Sequence, residues 1–311
     1  MKPQPRLALL AACALMLAGA AQAQNMMGSP ARGADAELRG TLAKVRTSGT
    51  IALGYRENSV PFSYLSARKE PIGYTVELCK ALVTSIEDAI NKSLKIDWVP
   101  VTAESRIDDV ATGRIDLECG STTANLERQK RVAFSPIMFV AGVKVMVKQG
   151  NKSIGNSFRD LAGKKVAVAT GTTAETALRN LNARFKLGIQ VQVEPDYAES
   201  FAQVASGQAD AFATDDVLLY GLIAQDAGKS GKFQVVGDYL SYDPYGIMFR
   251  KDDPQLAQVI KDSFQMLAED GEIERQYKRW FLRKLPTGES LNLPMSPQMQ
   301  TVLETMAVRP Q

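Results

Sequence analysis

Three arginines stand where short apolar runs give way to loops or helices. Arg56 follows the run Ile51–Tyr55, Arg106 opens a helical stretch after Ser105, and Arg128 lies just beyond Gly120-Ser121-Thr122-Thr123. A guanidinium presents a planar fork of donors that meets a carboxylate two bonds at a time. Small hydroxyl residues after a glycine suit exposed backbone N–H groups that face an anion. A second group repeats the pattern further on. Ala169-Thr170-Gly171-Thr172-Thr173 closes a strand and opens a helix, which makes a candidate carboxylate cradle. Ala213-Thr214-Asp215-Asp216 supplies acid at another strand end; one aspartate could accept an ammonium while the other caps the helix. Each feature alone has an ordinary reading, since a single Arg is usually solvated and a helix-initial Thr is usually a cap. Three arginines beside hydroxyl donors are harder to explain that way.

What the chain lacks narrows the chemistry further. Its 311 residues contain no histidine, so a Ser-His-Asp or Cys-His centre and a His-ligated metal are excluded. Three cysteines cannot make a four-cysteine zinc site. Neither a GxGxxG fingerprint nor a GxxxxGK[ST] loop is present. Lys plus Arg is 37 against 34 for Asp plus Glu, a net of +3, which gives no field for nucleic acid. The hydrophobic share of 45% is that of a folded chain.

The elements that must position these groups alternate. Strands are expected at Ile51–Tyr55, Ile96–Val101 and Ile115–Cys119, with helices at Val76–Ile90 and from Arg106. The helix Val76–Ile90 carries Val76, Cys79, Leu82, Val83 and Ile86 on one face. After the β-rich run Ala141–Lys148 the alternation restarts. Strands are expected at Lys165–Ala169, Ile189–Val193, Ala209–Thr214 and Tyr245–Arg250. Helices are expected at Thr172–Asn182, Tyr197–Ser206, Asp216–Ala227 and over Pro254–Trp280. Such alternation argues for mostly parallel sheets in two α/β lobes. The runs near residues 145 and 246 could be two crossings between the lobes, with the crevice between them as the ligand site. The proline-bearing tail after Leu285 reads as a loosely attached appendage.

Residues 1–23 read as a secretory signal, with Lys2 and Arg6 before the apolar run Leu7–Ala20 and an A-x-A site at Ala21-Gln22-Ala23. Leu10-Ala11-Ala12-Cys13 resembles a lipobox, but few apolar residues precede it, and cleavage after Ala23 is the favoured reading. Residues 24–39 read as a flexible lead. Cleavage leaves two cysteines, Cys79 and Cys119. Sequence leaves open whether they pair in an oxidising compartment or stay as buried thiols.

Taken together, these residues resemble the exported solute-binding proteins of polar amino acid ABC importers, and glutamate/aspartate-binding members above all. The carriers are Tyr55-Arg56-Glu57-Asn58-Ser59-Val60-Pro61-Phe62-Ser63-Tyr64, Glu118-Cys119-Gly120-Ser121-Thr122-Thr123 and Glu127-Arg128-Gln129-Lys130. Phe134-Ser135, Gly171-Thr172-Thr173 and Arg250-Lys251-Asp252-Asp253-Pro254 complete the set. The resemblance implies a type II periplasmic-binding fold, two α/β lobes joined by a two-strand hinge. Residues 40–142 and 246–285 would form the first lobe, 143–245 the second, and 286–311 a tail. It implies no catalysis, no cofactor and no metal. The implied partners are an acidic amino acid and the permease and ATPase subunits of an importer, with no nucleic acid, for a monomer in the periplasm.

The resemblance also assigns roles. Arg128 would hold the α-carboxylate with amides near Thr123, Thr172 and Thr173. Asp215, with Ser121 and Thr123, would hold the α-ammonium, and Arg56 with Arg106 would neutralise a side-chain carboxylate. Ser59, beside Arg56, joins the expected ligand contacts. Relatives that bind basic amino acids carry an acid near the position of Arg56, so the positive charge here reverses the preference. One departure stands out. Acidic-amino-acid binders of this type usually have a histidine after the Asp of the segment Pro195-Asp196-Tyr197; here that place is Tyr197, whose hydroxyl can donate without carrying charge. Two rivals remain at this point. One is an exported dehydratase-like enzyme using Glu57 or Glu118, and the other is a ligand sensor for a membrane receptor.

Overall fold

The structure is a computed structural model that describes residues 37–307. The expected signal segment with its cleavage site, Cys13 and nearly all of the lead lie outside the described residues. Of the unit Met1–Leu38 only Glu37 and Leu38 are described, in neither helix nor strand, and every element below belongs to the unit Arg39–Gln311.

Two five-stranded sheets carry the chain. The first has the order β5 (Lys95–Pro100), β1 (Thr50–Tyr55), β6 (Leu117–Glu118), β15 (Met248–Arg250) and β7 (Val132–Phe134). The second has the order β11 (Gln190–Glu194), β10 (Lys165–Ala169), β12 (Ala211–Asp215), β9 (Val143–Lys148) and β13 (Phe233–Val236). A small sheet of β2 (Asn58–Ser59), β3 (Ser63–Leu65) and β4 (Pro71–Ile72) follows β1. Helices α1 (Gly40–Ser48), α2 (Tyr74–Ile90), α3 (Arg106–Ala111) and α4 (Leu126–Gln129) serve the first sheet, and α5 (Thr173–Phe185), α6 (Tyr197–Ser206) and α7 (Asp216–Asp226) the second.

Both sheets are mixed rather than mostly parallel. β1 runs parallel to β5 and β6, and β10 parallel to β11 and β12. β15 is antiparallel to β6 and β7, and β9 is antiparallel to β12 and β13. A parallel neighbour needs a crossover, usually a helix. The parallel pairs have one, α2 between β1 and β5 and α5 between β10 and β11, whereas β9 and β15 each run antiparallel to both neighbours.

The strands just before β9 and β15 are the link between the lobes. β8 (Phe139–Ala141) and β14 (Asp243–Tyr245) pair antiparallel, Phe139 opposite Tyr245 and Ala141 opposite Asp243. The crossings are therefore these two strands, and the runs at 143–148 and 248–250 belong to the sheets. An aromatic cluster seats the link: Phe62 lies 5.1 Å from Tyr245 and 4.9 Å from Phe139, and Phe139 stacks on Phe281 at 5.0 Å. Such pairs contribute about 0.5–1.5 kcal/mol each beyond their burial.

The helical region after Pro254 is broken. α8 (Pro254–Glu269) ends before Gly271, whose φ of 69° stops the helix, and α9 (Glu272–Tyr277) runs into a π turn at Lys278–Leu282. The tail is not a loose appendage. It forms α10 (Pro297–Ala307), which packs on α8 and buries Met299 and Leu303. Cys79 on α2 and Cys119 just after β6 form a disulfide. Among the described residues no helix is long and apolar enough to cross a membrane.

Candidate ligand cleft

The strand ends converge. β1 delivers Arg56, β6 delivers Glu118 and then Ser121 to Thr123, β10 leads to Thr172 and Thr173, and β12 ends on Asp215. Arg56, Arg106, Ser121, Thr123, Arg128, Thr172 and Asp215 are all buried. Burying three guanidiniums is tolerable only where acceptors meet them.

On the first lobe the acceptors are explicit. Arg106 Nη1 donates to Thr122 Oγ1 at 2.6 Å and to the Ser121 carbonyl at 3.3 Å. Thr122 Oγ1 in turn donates to Glu118 Oε2 at 2.8 Å. Arg128 Nη1 donates to the Thr123 carbonyl at 2.9 Å, while its Nη2 reaches the Gly171 carbonyl of the second lobe at 3.3 Å. Asn125 Oδ1 accepts from Arg128 N–H at 2.9 Å and so caps the turn that presents Arg128.

Further contacts span the lobes. The Arg56 guanidinium lies 5.2 Å from the centroid of the Tyr197 ring. Asn58 Nδ2 donates to Asp196 Oδ2 at 2.9 Å. Thr123 Oγ1 lies 3.4 Å from Thr173 Oγ1 and donates to Asp243 Oδ1 at 3.0 Å. On the linking strand β14, the Tyr245 hydroxyl donates to Asp215 Oδ2.

Thr172 behaves as a cap. Its hydroxyl donates to the Ala169 carbonyl at 2.7 Å and accepts from Glu175 N–H at 3.2 Å, so what it can still offer a ligand lies in the backbone at the start of α5. Ser59 is buried on β2, which packs against α6 and α7, and its Oγ has no hydrogen-bond partner. The remaining expected residues lie along one lobe-to-lobe face.

Several buried polar atoms on this face have no hydrogen-bond partner: Arg56 Nη1, Arg106 Nε, Glu118 Oε1, Ser121 Oγ and Asp215 Oδ1. Such groups are expensive to leave unmade. Their types, donors on one side and an acidic oxygen on the other, are complementary to carboxylates and an ammonium.

Electrostatics sharpen the picture. Burial, with Arg106 adding to it, lowers the Arg128 pKa to about 10. Burial also lowers that of Arg56; Tyr197 and Glu118 oppose the shift and Arg106 adds to it. Burial and the neighbouring Asp243 push the Asp215 carboxyl up to about 8. Three acids are buried here: Glu118 and Asp215 act on Arg128 through their charge, and Asp243 accepts from Thr123. Reading the residues at strand ends counts only Asp215 as the site's negative group. Glu118 enters that reading only as a catalytic candidate, and Thr122, Asp243 and Tyr245 receive no role in it. A signal existed: Asp243-Pro244-Tyr245 places an acid and a hydroxyl on the strand that returns between lobes.

Comparison with known proteins gives the family. Residues 51–283 match the family model of bacterial extracellular solute-binding proteins, family 3. The chain belongs to that family. It is 37% identical over 289 residues to a glutamate/aspartate import solute-binding protein of Salmonella typhimurium, covering 92% of each chain. It is 39% identical over 270 residues to an L-glutamate/L-aspartate-binding protein of Pseudomonas aeruginosa, covering 86% of this chain and 88% of the relative. Among solved structures it resembles an ancestral amino acid-binding protein, a precursor of cyclohexadienyl dehydratase. The TM-score is 0.67 at 30% identity, over 78% of this chain and 99% of that one. The fold is the type II periplasmic-binding fold.

Proposed function

We propose that this family member captures an acidic L-amino acid, glutamate or aspartate, between its lobes and hands it to the permease of an ABC importer. The observation that carries the reading is the set of buried, unpartnered polar atoms at the cleft, Arg56 Nη1, Arg106 Nε, Ser121 Oγ and Asp215 Oδ1. In this reading residues 40–142 with 246–285 move as one lobe and 143–245 as the other, about β8 and β14. Arg128 and the start of α5, at Thr172 and Thr173, take the α-carboxylate. Asp215 with Ser121 and Thr123 takes the α-ammonium. Arg56 and Arg106, with the buried Tyr197 against Arg56, take the side-chain carboxylate. The names of the glutamate- and aspartate-binding relatives support the choice of ligand. Export to the periplasm, a monomeric state and docking to permease and ATPase subunits belong to the same proposal.

Binding, not catalysis, fits the acids. Glu57 is exposed, and Glu118 already accepts the Thr122 hydroxyl that meets Arg106. Glu57 thus has no buried place beside a ligand, and one oxygen of Glu118 is already committed to Thr122. Charge-assisted bonds contribute about 1.5–3 kcal/mol each, and several of them support sub-micromolar capture, about −8 to −10 kcal/mol. Calorimetry with L-glutamate tests the reading: it predicts a binding heat in the native protein and none in Arg128→Ala. Turnover of a small carboxylic acid in place of simple binding contradicts it.

A further inference from the structure

Glu118 is wholly buried at the end of β6, against the site yet one residue removed from it. Its Oε2 accepts from the Thr122 hydroxyl, and Thr122 is itself fully buried. A threonine hydroxyl has one proton and two lone pairs. Once the proton is committed to Glu118, the oxygen can only accept, and Arg106 Nη1 donates into it at 2.6 Å. A hydroxyl without that carboxylate is free to turn its proton toward the guanidinium, which repels it. The carboxylate is held in turn by close packing. A Cβ built on Gly120 would stand 2.1 Å from Glu118 Oε1 and 3.0 Å from Arg56 Cγ, so a side chain there would push the carboxylate from its place. With Nη1 so fixed, Arg106 Nε is left buried without a partner.

We propose that Glu118 and Thr122 are positioning residues: a carboxylate–hydroxyl relay that fixes the Arg106 fork for the side-chain carboxylate and so separates an acidic ligand from its amide. The proposal rests on the reading that Arg56 and Arg106 face the ligand side chain. The relay touches neither the α-carboxylate nor the α-ammonium contacts, which glutamate and glutamine share. Its loss therefore falls on the ratio of the two affinities rather than on both alike.

The test is calorimetry with L-glutamate and L-glutamine on the full chain, with thermal melts as the folding control. The native protein prefers glutamate. Thr122→Val keeps the shape, removes the hydroxyl and lowers glutamate affinity by roughly 10- to 100-fold, as loss of a bond to a charged group implies. Glutamine affinity changes far less. Thr122→Ser restores the native ratio. Glu118→Gln lowers the same ratio, and the double variant loses no more than Thr122→Val, because the two act through one bond chain. If Thr122→Val fails to fold, Thr122→Ser and Glu118→Gln carry the comparison. A ratio unchanged in the variants, equal losses for both ligands, or equal native affinities overturns the relay. A native protein that binds neither ligand overturns the functional reading itself, a separate result.

Discussion

The Arg56 guanidinium of the first lobe lies 5.2 Å from the ring centroid of Tyr197, the first residue of α6 in the second lobe. A cation over an aromatic face is worth about 0.5–2 kcal/mol, more as water is excluded. The pair thus contributes to closure, at the position where the family resemblance implies a histidine. No histidine occurs anywhere in the 311 residues, so the native affinity profile should carry no imidazole step. Tyr197→His should acquire one, and Tyr197→Ala should bind roughly 2- to 30-fold more weakly, as loss of that contact implies. A His variant whose affinity profile between about pH 5.5 and 7.5 matches the native one would place residue 197 outside the site.

A wedge at Gly221 tests closure without altering any side chain assigned to the ligand. Gly221 lies in α7, and a Cβ there would stand 2.2 Å from the Val60 carbonyl of the first lobe. Inside an open helix, Gly→Ala stabilises by about 1 kcal/mol. Gly221→Ala should therefore weaken glutamate binding by tenfold or more, on the order of 1.4 kcal/mol, while leaving the unliganded melting temperature level or higher. Unchanged affinity would show that the lobes bind ligand without the approach seen here.

Much of this geometry was legible from residues and spacing. Strand ends name Arg56 and Asp215, and helix periodicity on Cys79, Leu82 and Ile86 names the face α2 buries. What sequence withheld depends on distant chain meeting in space. Tyr245 reaches Asp215 across 30 residues and Asp243 reaches Thr123 across 120, and no local pattern encodes such a partner. The pairing of Cys79 with Cys119 depends on a Cα separation of 6.1 Å, which spacing cannot give. The tail misled because prolines suggest a loop, whereas Met299 and Leu303 are spaced to pack one face of α10 on α8.

Asp215 sets a pH dependence whose sign is fixed by its burial. Its carboxyl is raised from 3.8 to about 8 in the fold, with burial the leading cause and Asp243 the next. Between those values the folded chain keeps a proton that the unfolded chain has lost. The unliganded protein should lose stability as pH rises through that window, at up to about 1.4 kcal/mol per pH unit for one proton. Asp215→Asn should flatten the profile in urea titrations. An equally steep slope in the variant would remove Asp215 as its source. An ammonium bonded to Asp215 favours the carboxylate, so glutamate binding near pH 7 should release a proton, readable as a dependence of binding heat on buffer ionisation enthalpy.

The disulfide closes a loop of sequence separation 40 within the first lobe. In the chain-entropy account that loop is worth about 4 kcal/mol. The double variant Cys79→Ala/Cys119→Ala should unfold at lower denaturant than the native protein by roughly that free energy. Dithiothreitol should shift the native protein and leave the variant unmoved. Equal midpoints would mean that the bridge adds nothing to the fold.

Calorimetric titration of the native protein with L-glutamate, L-aspartate, L-lysine and L-arginine in parallel tests the central claim most directly. The arrangement of Arg56, Arg106 and Arg128 predicts saturable binding of glutamate or aspartate and none of the basic pair. Tight binding of lysine or arginine, with no heat from either acidic amino acid, would contradict it.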